Sequence, residues 1–92
     1  MKVVIVGLGV IGGGYAMALK EAGYKDIYGV DKNLDTLNKA KNLGLIKEGY
    51  EDIKPIISEA DLIVLAIYPR LIKDFIIDNK DWLKDGAVIT DG

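Results

Sequence analysis

The stretch Lys2-Val3-Val4-Ile5-Val6-Gly7-Leu8-Gly9-Val10-Ile11-Gly12 decides the fold of this chain. Its first part is a run of consecutive branched aliphatic residues, which is typical of a parallel strand buried on both faces. Its second part has the pattern G-x-G-x-x-G, formed by Gly7, Gly9 and Gly12. A strand that runs directly into this pattern predicts a sharp turn and a helix whose N-terminus can receive a phosphate group.

Each glycine of the pattern has its own predicted role. Gly7 lets the chain turn out of the strand, Gly9 leaves room for a pyrophosphate beside the backbone, and Gly12 lets the helix pack close to the strand. We expect the helix to present its free N–H groups and the positive end of its dipole to the phosphates. The alternative is a glycine-rich turn that only packs a helix on a sheet, and the residues that follow argue against it.

Two features after the glycines favour a dinucleotide-binding unit. Apolar residues recur at helical spacing, which predicts a helix with one buried face. A second strand over 26–30 ends in Asp31, at roughly the 20-residue separation where such folds hold the adenosine ribose. The apolar residues of the helix are Ile11, Tyr15, Ala18, Leu19 and Ala22.

Asp31 carries the predicted choice of cofactor. Its carboxylate can accept hydrogen bonds from both ribose hydroxyls of NAD, and it would repel the 2′-phosphate of NADP. The neighbouring Lys32 could offset that repulsion, and Asp31 could instead only cap the loop before Asn33. We predict NAD as the cofactor and include Asp31 and Lys32 among its binding residues.

The middle of the chain continues the alternation of helices and strands. A helix is predicted over 34–43, with Asn33 as its N-cap and Gly44 as its C-cap. A short edge strand is predicted at 48–50, and Asp52 is expected to cap a short helix. The residues expected to face the sheet are Leu34, Leu37 and Ala40 in the first helix and Ile53, Ile56, Ile57 and Ala60 in the second.

The last third of the chain adds two strands and a helix. A buried strand is predicted over 62–67, ended by Tyr68 and Pro69, and a final strand over 87–90. Trp82 is expected to cover the end of the sheet. The helix between these strands is indicated by Leu71, Ile72, Phe75 and Ile76.

This order of elements predicts an α/β fold with a Rossmann-like, doubly wound parallel sheet of probable strand order 3-2-1-4-5, because crossovers between parallel strands are right-handed. Residues 1–92 form one dinucleotide-binding domain. The ligand is expected where the first and fourth strands adjoin, although Tyr68 is equally well explained as packing at a strand end. The predicted cofactor-binding residues are Gly7, Leu8, Gly9, Val10, Ile11, Gly12, Asp31, Lys32, Ala66, Ile67, Tyr68 and Pro69.

Composition narrows the possible functions. Twelve basic and 14 acidic residues give a net charge of −2, which argues against non-specific nucleic-acid binding. The chain has no cysteine, so it can form neither a disulfide nor a thiolate metal site, and no metal is predicted. No apolar run reaches the roughly 18 residues of a membrane span, so no membrane partner is expected and a cytoplasmic location is predicted.

Over its whole length the sequence resembles the N-terminal part of prephenate dehydrogenases, enzymes of tyrosine biosynthesis. Related nicotinamide dehydrogenases share much of this likeness, and Gly13 and the Leu-Gly-Leu-Ile segment add family specificity. The segments that carry it are GLGVIGG at 7–13, YGVD at 28–31, LGLI at 43–46, ADLIVLA at 60–66 and GAVITD at 86–91.

The resemblance implies an NAD-dependent oxidative decarboxylation of prephenate to 4-hydroxyphenylpyruvate. It also implies that the catalytic histidine, the substrate-binding arginine and a helical domain of a homodimeric parent protein follow Gly92. The chain contains no histidine, so we assign no catalytic residue and expect cofactor binding without activity.

Two other functions stay open from the sequence. A stand-alone NAD(H)-sensing regulatory module would also combine the glycine pattern with a ribose-binding acid. A domain of a related β-hydroxyacid or pyrroline-carboxylate type dehydrogenase would share most of the same residues.

Overall fold

The aliphatic run that opens the sequence forms strand β1 (Val3–Val6), and all its side chains are buried. The structure is a computed structural model that describes residues 1–91, so Gly92 of the predicted domain lies outside the described residues. Because side chains alternate along a strand, β1 contributes Val3 and Ile5 to one apolar cluster and Val4 and Val6 to another, one on each face of the sheet.

The sheet is parallel throughout, and its strand order of β3-β2-β1-β4-β5 confirms the predicted Rossmann-like topology. β1 and β4 are adjacent, so the topological switch point lies between them as predicted. After β1 the elements are α1 (Val10–Glu21), β2 (Ile27–Val30), α2 (Leu34–Asn42), β3 (Glu48–Tyr50), β4 (Leu62–Leu65), α3 (Pro69–Asn79) and β5 (Val88–Asp91), with 3-10 turns at Ile57–Glu59 and Lys80–Trp82.

Helices α1 and α2 pack on one face of the sheet, and α3 packs on the other. The buried side of α1 differs from the prediction. Gly12 and Ala16 are buried and Leu19 is partly buried, whereas Ile11 is 63% exposed and Tyr15 is 37% exposed. Small residues face the sheet because α1 lies against the turn after β1. The other residues predicted on the buried face, Ala18 and Ala22, are exposed.

The start of α2 is built as the sequence predicts. The side chain of Asn33 accepts hydrogen bonds from the backbone N–H groups of Asp35 and Thr36, at 3.0 and 3.2 Å. At the other end the C-cap is Leu43 and not the predicted Gly44, which follows it in the left-handed conformation with a φ of +73°.

The prediction that Leu34 faces the sheet is wrong, because this side chain is 55% exposed. The buried face of α2 is made by Leu37 and Ala40, and at about 100° per residue Leu34 lies roughly 120° around the helix from Ala40.

The segment between β3 and β4 is not the short helix that the sequence predicts. The carboxylate of Asp52 accepts a hydrogen bond from the N–H of Lys54 in a tight turn, and the chain continues into the 3-10 turn. Pro55 limits helix formation, since it lacks an N–H and disfavours the helical conformation of the residue before it. The apolar side chains predicted to be buried are nevertheless buried: Ile53, Ile56, Ile57 and Ala60.

Two further expectations need correction near α3. Strand β4 ends at Leu65, before the predicted end at residue 67. Trp82 is 57% exposed and does not cover the end of the sheet; the centroid of its ring instead lies 4.9 Å from the Nζ of Lys54.

Across residues 1–91, the helices are too short or too polar to cross a membrane.

Candidate functional site

A cavity of about 1010 Å³ opens at the carboxyl ends of the strands, over the switch point between β1 and β4. Ligands of open α/β sheets bind at this edge of the sheet. The cavity is lined by every residue of the predicted cofactor set except Leu8: Gly7, Gly9, Val10, Ile11, Gly12, Asp31, Lys32, Ala66, Ile67, Tyr68 and Pro69.

The glycine turn forms the floor of the cavity. Gly7 has a φ of +90°, and its N–H donates to the carbonyl of Val30 at 2.7 Å. A Cβ at Gly7 would lie 2.6 Å from the carbonyl oxygen of Ala66, so the turn is wedged between β2 and the end of β4. Gly9 is different, because a Cβ there would meet no atom within 4 Å. The space beside Gly9 is therefore open to a ligand.

Helix α1 begins at this open space. Its N-cap is Gly9, which has no side chain to bond the first-turn N–H groups. Helices leave their first N–H groups without partners inside the helix, and these groups favour anions. Val10 and Ile11 in the first turn line the cavity. The start of α1 can therefore hold a phosphate by its backbone.

The carboxylate of Asp31 is held in place by two backbone N–H groups. Leu8 donates to Oδ2 and Asn33 donates to Oδ1, each at 2.9 Å. A carboxylate oxygen can accept more than one hydrogen bond, so both oxygens can also receive a hydroxyl group. The first of these bonds ties the glycine turn directly to the end of β2. Asp31 is thus oriented in advance to receive a diol.

Leu8 is the predicted site residue that the structure places elsewhere. Its side chain is 5% exposed and packs in the apolar cluster beneath the glycine turn. It fits there because Gly29 in β2 has no side chain; a Cβ at Gly29 would overlap the Leu8 side chain. Leu8 therefore serves the site through its backbone N–H to Asp31 and not through its side chain.

The opposite wall comes from the residues after β4. Tyr68 is the N-cap of α3, and its side chain is 70% exposed. Its ring does not pack into the core, which was the alternative explanation for an aromatic residue at this strand end. The guanidinium carbon of Arg70 lies 5.7 Å from the ring centroid, although Arg70 itself does not line the cavity.

One part of the cavity was missed from the sequence: an acidic lobe between residues 51–53 and α3. A signal was present, because Glu51 directly follows β3 and so lies at the same edge of the sheet as Asp31. The contribution of α3 was not evident from the sequence. The acidic lobe is lined by Glu51, Asp52, Ile53, Leu71, Asp74, Phe75, Asp78 and Asn79.

The lining of the cavity is strongly acidic away from the glycine turn. Carboxylates outnumber cations, since Lys32 is the only lysine or arginine among residues 1–91 whose side chain lines the cavity. Within residues 1–91 no group of His, Cys, Asp or Glu side chains is arranged to hold a metal ion. The carboxylates on the lining are Asp31, Glu51, Asp52, Asp74 and Asp78.

Asp26 and Asp61, whose pKa values are lowered, lie at the opposite end of the sheet from the cavity, where β2 and β4 begin. A hydrogen bond from the hydroxyl of Tyr28, at 2.6 Å, lowers the pKa of Asp26, which precedes β2. An ion pair with Lys84 lowers the pKa of Asp61, which precedes β4 and also accepts a hydrogen bond from the N–H of Lys2. Neither lines the cavity, so these groups serve to hold strand ends.

The family model of the prephenate dehydrogenase nucleotide-binding domain matches residues 15–92. The match begins after Gly12, so it does not depend on the glycine pattern. The prephenate dehydrogenase of Lactococcus lactis subsp. cremoris is 35% identical over 92 residues, covering 98% of this chain and 25% of that protein.

Solved structures of a prephenate dehydrogenase and an arogenate dehydrogenase are also similar to this chain. A prephenate dehydrogenase from Aquifex aeolicus, in complex with hydroxyphenyl propionate and NAD+, has a TM-score of 0.88 and 34% identity over 99% of this chain. The arogenate dehydrogenase of Synechocystis has a TM-score of 0.88 and 31% identity, also over 99% of this chain. This chain covers 33% and 32% of those two chains. It therefore spans a quarter to a third of the length of these relatives.

Proposed function

The chain belongs to the prephenate dehydrogenase family, of which it carries the nucleotide-binding domain, and on that basis we propose that it binds NAD at the switch point. One observation carries the proposal: the oriented carboxylate of Asp31 stands at the edge of a cavity whose floor is open beside Gly9. A dinucleotide needs both features, a diol acceptor and an uncrowded backbone for its pyrophosphate. A neighbour of known structure that contains NAD+ supports the same cofactor.

We assign the parts of the cofactor to the lining residues from this geometry. The pyrophosphate lies over Gly9 and the first turn of α1, where backbone N–H groups stabilise its charge. The hydroxyls of the adenosine ribose donate to Asp31. The nicotinamide half lies towards Tyr68 and Pro69, across the switch point. When bound, NAD supplies the acceptor for a hydride ion.

The acidic lining also favours NAD over NADP. We expect the wild-type chain to bind NAD at least about tenfold more tightly, because the 2′-phosphate of NADP would displace a charge-assisted hydrogen bond and face Asp31. Replacing Asp31 with serine should bring the two affinities to within about threefold. Titration calorimetry with both dinucleotides measures this. Asp35→Ser, which removes an exposed carboxylate outside the cavity, is the control and should leave the ratio unchanged.

Equal or tighter binding of NADP by the wild-type chain would contradict this assignment. It would mean that the ammonium group of Lys32, which also lines the cavity, outweighs the carboxylate of Asp31.

For the reaction, we propose that the domain serves the oxidative decarboxylation of prephenate to 4-hydroxyphenylpyruvate. The names of the Lactococcus and Aquifex relatives support prephenate as substrate, and the Synechocystis relative favours arogenate as the second candidate. The substrate domain and the homodimer implied by the family resemblance stay predictions.

We expect the 92-residue chain to show no detectable NADH formation with prephenate or arogenate. The chain has no histidine to take the hydroxyl proton, a role that contributes about 10²–10⁴-fold to rate. Holding a substrate against the cofactor contributes more, up to about 7–11 kcal/mol, and the chain covers only a quarter to a third of its relatives. NADH absorbance is the measurement, with the full-length Lactococcus lactis enzyme as positive control. Turnover within tenfold of that control would contradict the prediction.

A further inference from the structure

We propose that Tyr68 favours the oxidised form of the cofactor, because one face of its ring attracts the positively charged nicotinamide of NAD and not the neutral ring of NADH. The proposal rests on the NAD site argued above and adds to it a choice between the two redox states. It depends on the position of Tyr68, on its exposure and on the cation that already lies over its ring.

Tyr68 lies where the nicotinamide half of the cofactor is assigned. β4 ends at Leu65 beside β1, and Tyr68 follows shortly after as the N-cap of α3. The side chain of Tyr68 lines the cavity and is 70% exposed, so its ring is not committed to the core. Phe75, the other aromatic residue on the lining within residues 1–91, is partly buried against the core. Tyr68 therefore supplies the aromatic face that a ligand at the switch point can contact.

One face of the Tyr68 ring is already occupied by a cation. The guanidinium carbon of Arg70 lies over the ring, 5.7 Å from its centroid. Tyrosine rings attract cations in this way because the π face carries a negative potential. Arg70 does not line the cavity, whereas Tyr68 does. The guanidinium therefore leaves the opposite face of the ring to a ligand in the cavity.

The two forms of the cofactor differ in the charge that this face would meet. The nicotinamide ring of NAD is a pyridinium cation, and the hydride that converts it to NADH makes the ring neutral. Either ring can pack on Tyr68, but only the cation gains from the negative potential of the π face. That gain corresponds to about two- to fivefold in affinity at an exposed site. Such a preference favours release of the reduced cofactor after hydride transfer.

Other parts of the cavity also respond to the charge of the nicotinamide ring. The carboxylates on the lining favour NAD, and the positive end of the α3 dipole favours NADH. The contribution of Tyr68 is therefore measured as the change in the NAD-to-NADH affinity ratio when its ring is removed. A purely apolar contact would weaken both dinucleotides equally and leave this ratio unchanged.

The test is titration calorimetry of the 92-residue chain with NAD and with NADH. We expect Tyr68→Leu to lower the preference for NAD over NADH by about threefold, mainly through weaker binding of NAD. Tyr68→Phe keeps the aromatic ring without the hydroxyl group and should keep the wild-type ratio. Tyr24→Leu is the matched control, because Tyr24 is 38% exposed, lies beyond the far end of α1 and does not line the cavity. It should also keep the wild-type ratio.

Arg70→Gln gives an independent check. A cation on one face of an aromatic ring weakens the attraction of that ring for a second cation on the other face. Removing the guanidinium should therefore leave the preference for NAD at the wild-type value or above it.

Three changes in the ratio would each overturn the proposal. An unchanged ratio in Tyr68→Leu, shown to be folded by circular dichroism, would mean that the ring does not sense the charge. A ratio in Tyr68→Phe as low as that in Tyr68→Leu would assign the selectivity to the hydroxyl group. A lower ratio in Arg70→Gln would assign it to the guanidinium. Failure of the wild-type chain to bind either dinucleotide would instead overturn the proposed cofactor site, and the same titrations distinguish this from a loss of selectivity.

Discussion

Replacing Gly12 with alanine is expected to remove a large part of the free energy that keeps this domain folded. A Cβ at Gly12 would overlap the carbonyl oxygen of Gly7 and approach its carbonyl carbon. Both are backbone atoms in a turn held by the hydrogen bond from Gly7 to Val30 and by contact with Ala66. The clash cannot be relieved by rotating a side chain, so α1 would have to move away from β1.

We expect this substitution to lower the free energy of unfolding by about 3 kcal/mol or more, at the upper end of the range for overpacked sites. That is a large part of the roughly 5–15 kcal/mol that stabilises a typical domain. Urea denaturation followed by circular dichroism measures the change. Gly13→Ala is the matched control, because a Cβ there meets no atom within 4 Å. It should be neutral or stabilising by about 0.5–1 kcal/mol. Equal denaturation midpoints for the two variants would contradict the close packing of α1.

The sheet could be predicted from the sequence because its strands carry their own signal. The runs 3–6 and 62–65 are continuous and apolar, as strands buried on both faces must be, and right-handed crossovers then leave few possible orders. Even the short strand Glu48–Tyr50 lies where the sequence predicts it. Fold class and strand order follow from local pattern and chirality alone.

The buried face of α1 could not be chosen by size of side chain. Ile11, Tyr15 and Met17 of that helix face outwards, whereas Gly12 and Ala16 face the sheet. The reason is the distance between helix and strand, which the glycine pattern itself sets. Counting from Gly12 in steps of four and three residues reaches Ala16 and Leu19, the buried and partly buried positions. The sheet-facing side of α1 could therefore be derived from the position of Gly12, but not from the hydrophobicity of the side chains.

Part of the candidate site could be predicted from the sequence and part of it could not. Residues at the glycine turn and at the ends of β2 and β4 were predicted, because a motif and the switch point identify them before any packing is known. The acidic lobe was not predicted. It exists because the segment after β3 folds as turns instead of a helix and lies across from α3. Such a contact between distant segments depends on tertiary packing, which no local pattern records.

Gly9→Val is expected to abolish NAD binding while the domain stays folded, which is the opposite of the result for Gly12→Ala. The backbone at Gly9 has φ −67° and ψ −157°, which is open to residues other than glycine, and a Cβ there meets no atom within 4 Å. Gly9 is the N-cap of α1, where valine is less favourable than glycine by about 1 kcal/mol, a cost that leaves a domain stabilised by roughly 5–15 kcal/mol folded. The branched side chain instead fills the open space that the pyrophosphate needs.

We expect NAD affinity to fall by at least about 100-fold, because the phosphates would be pushed away from the first turn of α1 and the ribose away from Asp31. Titration calorimetry measures the affinity, and circular dichroism with a urea melt checks the fold. Gly14→Val is the matched control, since Gly14 also has no atom within 4 Å of a Cβ but does not line the cavity. It should keep the wild-type affinity. If the Gly9 variant is folded and binds NAD as the control does, the pyrophosphate does not lie over Gly9. The cofactor would then have to approach the switch point from the side of β4.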